Sequence, residues 1–292
     1  MRLHPRVRPG FPYLAGGPLL IAHRGGAKLA PENTMLAFRR AIDWWHADIL
    51  ELDVQPTRDG EVVVFHDPVV DRTTERTGAI SALSLKEIRE LDGGYRFTPD
   101  GGKTFPFRGR GVGISTLAEV LAEFPGGRIN IEIKDGRAQE RVWESVRESK
   151  AFDRVLFAAG SAKNRSRLNG YPVPVSGGKE ELRLFVGQLA VGLSIYTPGV
   201  DAFQIPDNWE GREVASPRLF EAARKRNIAV HVWTIDEETD MPRLLDWGAD
   251  GIVTDRPDRL ARLLHRRLGR PLPPGPGEGP IEPFLEPLLS DY

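Results

Sequence analysis

Cysteine is absent from the 292-residue chain, which excludes disulfides, thiolate nucleophiles and zinc–thiolate sites. Oxidising and reducing compartments both stay open. An excess of charge of either sign is missing as well: 40 Lys and Arg stand against 41 Asp and Glu, a formal net charge of −1. That balance gives no general attraction to nucleic acid or to an anionic membrane. Long hydrophobic runs are also lacking. The basic opening "MRLHPRVRPGFPYLAGG" leads into no signal-like apolar stretch of about 7–15 residues. Nothing approaches the roughly 20 apolar residues of a membrane span. The expectation is a cytoplasmic protein with no integral membrane segment and no nucleic-acid partner. Oligomeric state is not legible.

What is present is enough apolar residue, 40% of the chain, for a large core. Short apolar runs at 18–23, 49–54, 62–66, 129–134, 154–158, 172–175, 202–205, 229–233 and 250–254 read as strands. Helical patterns at 34–46, 116–124, 137–149, 179–189, 216–227, 236–246 and 257–268 separate most of them. Strands alternating with helices of this length predict βαβ units and a parallel sheet. The number of units favours an α/β fold of the TIM (β/α)8 type over an open sheet, and one such barrel takes about 250 residues. Residues 67–113 break the rhythm with glycine-rich, charged sequence around "SLKEIREL" and predict a small insertion after the third strand. The domain expectation is therefore a barrel over 1–268, carrying that insertion. A Pro/Gly-rich tail follows over 269–292 and reads as extended and linker-like, docking of its "FLEPLL" on the surface being the other reading. No internal repeat is present.

Chemistry concentrates at strand ends. In "ILELDVQP", residues two apart share a face, so Glu51 and Asp53 project together and Leu50, Leu52 and Val54 project oppositely. Two such carboxylates call for a hard divalent cation, or else for salt bridges to Arg or Lys. In "NIEIK", Glu132 and Lys134 share a face in the same way, as an ion pair or as part of a site. An ion pair buried in a strand seldom stabilises a fold by itself. His23 ends the first strand and His66 the third, where it is expected to share a face with Val62 and Val64. All six of these groups then fall at the C-terminal rim, where barrel active sites lie. The other histidines read differently. His4 is terminal, His46 sits late in a helix, His265 suits a basic helix end, and His231 belongs to a packed barrel layer. His23 and His66 remain as a general acid/base pair. With a divalent metal, Arg24 and Lys134 on the phosphoryl oxygens, this inventory suits a phosphate diester. Schiff-base chemistry through Lys134 would leave both histidines and the carboxylate pair unexplained.

These residues resemble the glycerophosphodiester phosphodiesterase family. The matching pieces are "AHRG" with "PENT" (22–25, 31–34), "ELDVQPTRDG" (51–60), "VVFHDPVVDRTT" (63–74), "NIEIK" (130–134), "VWTID" (232–236) and "GADGIVTDRP" (248–257). They occur in the family's order across nearly the whole expected barrel. The resemblance implies a TIM barrel that hydrolyses small glycerophosphodiesters to glycerol 3-phosphate and an alcohol. It implies His23 and His66 as the acid/base pair, and Glu51, Asp53 and Glu132 as ligands of one divalent cation, Mg2+ or Ca2+. Arg24 and Lys134 would contact phosphate. Trp233 would line the substrate pocket, packing alone being the other reading of a strand-end tryptophan. Glu32 and Asn33 read as braces of the first loop, or else as substrate contacts. Asp255, before Arg-Pro, reads as a helix N-cap.

The chain departs from the family in reading "STLAEVL" before the third carboxylate and "VLFAAGS" where a Ser-Phe pair is common. Its insertion is also longer and more basic. These departures bear on substrate size and headgroup. A lysophospholipase D on the same barrel is the alternative reading, and it calls for an apolar rim that Phe97, Phe105 and Phe107 supply weakly. A non-catalytic phosphate-binding barrel is the other, which a missing histidine or carboxylate would favour.

Overall fold

A computed structural model describes residues 11–193, 195–209 and 211–276. His4 and the "FLEPLL" stretch lie outside the described residues. Eleven strands occur in chain order: β1 (Leu19–Ala22), β2 (Ile49–Pro56), β3 (Val62–Val64), β4 (Arg128–Ile133), β5 (Val155–Ala158), β6 (Ser176–Gly177), β7 (Ala202–Pro206), β8 (Asn208–Trp209), β9 (Arg212–Glu213), β10 (Ala229–Trp233) and β11 (Gly251–Thr254). The helices are α1 (Met35–Asp43), α2 (Leu85–Ile88), α3 (Leu117–Glu123), α4 (Gln139–Glu148), α5 (Lys179–Ala190), α6 (Pro217–Arg224), α7 (Asp240–Trp247) and α8 (Pro257–Leu268).

Eight strands run parallel in the order β5-β4-β2-β1-β11-β10-β7-β6. A parallel bridge between Phe157 and Val175 brings the two ends of this path together, with Phe157 N–H donating to Pro174 O at 3.0 Å. The result is a TIM-type barrel, and its two faces explain the strand sequences. Leu50, Leu52 and Val54 of β2 join Ile129, Ile131 and Ile133 of β4 in the core beneath the helices, with Phe38, Val120 and Val142. Inside the barrel, Leu19, Ile21, Ile49, Leu156, Ala158 and Ala202 form a smaller cluster with Tyr13. Tyr13 precedes β1 and is 1% exposed. Its carbonyl accepts from Arg128 at the start of β4, so the N-terminal end of the barrel is stoppered. Polar residues inside the barrel therefore belong to its other end.

Helix starts follow local chemistry. Thr34 caps α1 by accepting from Ala37 N–H at 3.2 Å. Thr116 and Glu119 form a reciprocal capping box on α3, a device worth about 1 kcal/mol.

One expected barrel strand is something else. Residues 62–66 were expected to run parallel and end on His66, but β3 stops at Val64 and pairs antiparallel with β2, Val54 opposite Val64 and Pro56 opposite Val62. His66 therefore does not share a strand face with Val62 and Val64. The connection is only "TRDGE", closed by Thr57 N–H to Glu61 O at 2.9 Å, whereas a parallel crossover needs a dozen or more residues. β2 thus continues beyond the barrel as one arm of a hairpin. His46 also differs from expectation, since α1 ends at Asp43 and His46 follows it, exposed, at φ 52°.

Beyond β3 the chain forms a short turn at Ile80–Ala82 and then α2, and it returns to β3 through a bridge between Val63 and Thr116. Val63, Phe65, Val70, Ile80, Ile88 and Ile114 give this region its own small core.

Candidate active site

The C-terminal rim encloses a cavity of about 510 Å³. His23, Arg24, Glu51, His66, Glu132, Lys134 and Trp233 line it. Asp53 is fully buried beneath its edge. All eight residues singled out from the sequence thus meet at one place.

The first wall is the turn His23–Gly25 after β1. Arg24 takes φ 51° and Gly25 φ 84°. A Cβ on Gly25 would lie 2.7 Å from Ala37 Cβ, so the turn presses on α1 at a position only glycine fits. This turn aims the Arg24 N–H at Glu51 Oε2 (2.9 Å). The Arg24 side chain forms ion pairs with Asp53 (3.1 Å) and Glu32 (3.0 Å). Asn33 donates to Asp53 Oδ2 at 2.9 Å and accepts from its backbone N–H at 3.3 Å. Glu32 and Asn33 thus hold Arg24 and Asp53 in place.

The second wall is carboxylate. Glu51, Asp53 and Glu132 each bring an oxygen within 4.8 Å of the others. The ladder of β2 and β4 sets Asp53 beside Glu132. Lys134 Nζ reaches Asp53 at 2.8 Å and Glu132 at 2.9 Å. Burial opposes the Lys134 charge, but Asp53 and Glu132 outweigh it and raise its pKa. Burial likewise opposes the Asp53 carboxylate, yet Lys134 and Arg24 hold it below the usual range. Glu51 has no ion pair of its own among the described residues. Burial, and then repulsion from Asp53, push it up to about 7. Three carboxylates sharing two cations leave an excess of negative charge, and the donors are all oxygen. This set fits a hard divalent cation.

Both histidines line the cavity with this cluster, each held through Nδ1 by a carboxylate. His23 pairs with Asp255 at 2.6 Å and His66 with Asp67 at 2.5 Å. Each keeps Nε2 for chemistry. Burial disfavours the His23 imidazolium, but the Asp255 hydrogen bond and the Glu51 charge overcome it and raise its pKa to about 9. Asp255 is fixed in turn, its backbone N–H donating to Asp236 Oδ1 at 2.8 Å. It is not the expected N-cap: Arg256 occupies that position, without a side-chain cap. Asp67 accepts from Arg72 Nε (2.6 Å), and Arg72 also grips Glu32 at 2.6 and 2.7 Å. Arg24, Glu32, Arg72, Asp67 and His66 thus form one continuous chain of contacts.

Asp67 and Arg72 were not singled out from the sequence, and Asp255 was read there only as a cap. The first two stand beside His66 in "HDPVVDR". Asp255 directly follows the last barrel strand, and barrel closure sets that strand beside the first.

His231 is fully buried, and burial pushes it down to about 4, as suits a neutral member of an interior layer. Trp233 is 42% exposed at the mouth. The aromatic rim expected from Phe97, Phe105 and Phe107 is not an open apolar surface. Phe107 is 2% exposed and packs edge-on against Phe97 at 5.5 Å, while the Arg108 guanidinium covers Phe105 at 3.8 Å. No described helix is long and apolar enough to cross a membrane.

Comparison with known proteins places the chain. Residues 23–170 and 183–259 match the model of the glycerophosphoryl diester phosphodiesterase family. A glycerophosphodiester phosphodiesterase of Caldanaerobacter subterraneus is 34% identical over 262 residues, covering 85% of this chain and 98% of that one. A lysophospholipase D of Rattus norvegicus is 28% identical over 275 residues, covering 84% and 85%. Among solved structures, the glycerophosphoryl diester phosphodiesterase domain of a Mycobacterium tuberculosis protein superposes with a TM-score of 0.76 at 19% identity, covering 86% of this chain and all of that one. The chain belongs to the glycerophosphoryl diester phosphodiesterase family and is a phosphoric diester hydrolase.

Proposed function

We propose that this enzyme hydrolyses glycerophosphodiesters, the deacylated phospholipids, to sn-glycerol 3-phosphate and an alcohol by acid–base catalysis between His23 and His66. The observation that carries this reading is the pair of carboxylate-held imidazoles lining one cavity with a cluster of three carboxylates and two cations. Glu51, Asp53 and Glu132 would hold one Mg2+ or Ca2+, which when bound supplies positive charge to the phosphoryl oxygens.

The chain's own groups divide the remaining work. Arg24 and Lys134 orient the phosphoryl group and offset the charge that grows on it. His23, protonated up to about pH 9, holds the proton that the departing alkoxide needs on Nε2. His66, with Nδ1 held by Asp67, presents Nε2 to accept the proton of the attacking hydroxyl. That hydroxyl is water or the substrate's own glycerol hydroxyl, and the second route passes through a cyclic phosphate. Trp233 offers its face to the carbon skeleton at the mouth. The same reading takes 1–268 as the catalytic barrel, 67–113 as its small insertion and 269–292 as a tail.

A lysophospholipase D activity is the second reading, favoured by similarity to the rat enzyme. The covered aromatics of the rim give an acyl chain little to rest on.

A panel of glycerophosphocholine, glycerophosphoethanolamine, glycerophosphoglycerol, glycerophosphoinositol and a lysophospholipid, with Mg2+ or Ca2+ and again with EDTA, tests both. Cleavage of a deacylated diester that EDTA abolishes supports the first reading. Cleavage of the lysophospholipid alone replaces it with the second, and turnover of nothing overturns both.

A further inference from the structure

Deeper than the catalytic rim, the barrel interior is polar without spending that polarity on itself. Asn130 on β4, Ser176 on β6 and Gln204 on β7 line the same cavity as His23, His66 and Lys134. Asn130 is 2% exposed and Ser176 1%. Asn130 Oδ1, Ser176 Oγ and Gln204 Nε2 are buried and have no hydrogen-bond partner among the described residues. Buried polar atoms are costly to leave unmet, so natural interiors rarely keep them so. The proton transfers proposed above use none of the three.

Their chemistry narrows what they are built to meet. A carboxamide oxygen accepts, a carboxamide nitrogen donates, and a hydroxyl does both. A quaternary ammonium has no proton for Asn130 and no acceptor for Gln204. An acyl chain would seal all three atoms against hydrocarbon. Hydroxyl groups satisfy every one. The neighbouring wall leaves room for them, since β5 contributes only Ala158, with Ala159 and Gly160 following. His231, opposite Gln204 in the ladder, is uncharged at neutral pH and so adds no charge to this layer. Below it, Tyr13 is buried with the apolar cluster at the other end of the barrel.

We propose that Asn130, Ser176 and Gln204 form a hydroxyl-recognition subsite for the free hydroxyls of the substrate's glycerol unit, selecting deacylated diesters over those that keep an acyl chain there. This deepens the phosphodiesterase reading and rests on it for the position of the phosphate.

The test compares binding of sn-glycerol 3-phosphate with that of n-propyl phosphate, which has the same ester and no free hydroxyl. Calorimetry on the whole chain with Mg2+ needs no turnover. The parent protein is expected to prefer glycerol 3-phosphate by about tenfold or more, since a site built for hydroxyls discriminates strongly against their loss. Ser176→Ala and Gln204→Met should each shrink the preference at least about threefold, with thermal melts confirming the fold. Ser176→Ala removes a single oxygen, so the decision rests on it. Equal affinities in the parent, as a layer that only holds structural water would give, overturn the subsite. A preference unchanged in Ser176→Ala does the same. Hydrolysis assayed alongside separates the two ideas. Selectivity without cleavage of any diester removes the activity and keeps the subsite, whereas cleavage without selectivity removes the subsite alone.

Discussion

The two histidines share a chemistry but are held by different kinds of structure. His23 lies in a turn at the end of β1, and its carboxylate, Asp255, comes 232 residues later, just after β11. The contact exists only because the last barrel strand closes against the first. His66 lies beyond the barrel proper, and its carboxylate is its own neighbour, Asp67. That carboxylate is held by Arg72, itself 48% exposed. One imidazole is thus positioned by the closure of the fold and the other by a relay of half-exposed ion pairs. Exposed ion pairs are individually weak and screened by salt, so the two halves of the proposed catalytic pair should fail in different ways.

Removing either imidazole gives the largest expected effect. His23→Ala and His66→Ala should each lower kcat by about 10²–10⁴ with little change in melting temperature. Full activity in either one would end the pairing. Asp255→Asn should come next, at about 10–10² in kcat, because His23 keeps its burial and loses its hydrogen-bonded carboxylate. Its imidazolium pKa, about 9 in the parent, should fall, and with it the alkaline limb of the kcat profile. NMR titration of the metal-free protein reads this directly, and an unmoved His23 pKa would separate Asp255 from it.

The same pair bears on stability, with a definite sign. The folded pKa of His23 lies above its ordinary value of 6.5, so its contribution is complete below about pH 6.5 and is lost as pH rises through about 9. Asp255→Asn should therefore lower stability more at pH 6 than at pH 10 in urea melts of the metal-free protein. Least affected should be Arg72→Met, with a loss of kcat below about tenfold. The parent's dependence on added salt should shrink in this variant. A loss as large as that of His66→Ala would show the relay to be more than a positioning device.

Much of this was legible in the sequence, for reasons that also mark where legibility stopped. Alternation along β2 separates Glu51 and Asp53 from Leu50, Leu52 and Val54, because a strand with one face under helices and the other in a cavity must alternate. Alternation carries no strand direction, so "VVVFH" read as a parallel barrel strand, although the five-residue "TRDGE" link is too short for a parallel crossover. Asp255 was misread for a related reason. Its local setting, an acid before Arg-Pro and a helix, matches a cap, while its partner is set by barrel closure. Asn130, Ser176 and Gln204 were invisible because their interest lies in having no partner, which only packed surroundings reveal.

The hairpin of β2 and β3 has a consequence for how such an enzyme can vary. Because β2 runs eight residues and folds back on itself, the backbone of His66 is set before the long loop begins, with Gln55 donating to its carbonyl at 3.0 Å. Around Arg72 the loop closes on itself through Val70 N–H to Gly78 O, its far end returns to β3 through Val64 N–H to Ser115 O, and it packs on its own cluster. It therefore behaves as a cassette. Its length and composition can drift, or be replaced by grafting between Gly78 and Ser115, to acquire new surface contacts while the machinery at its root keeps its alignment.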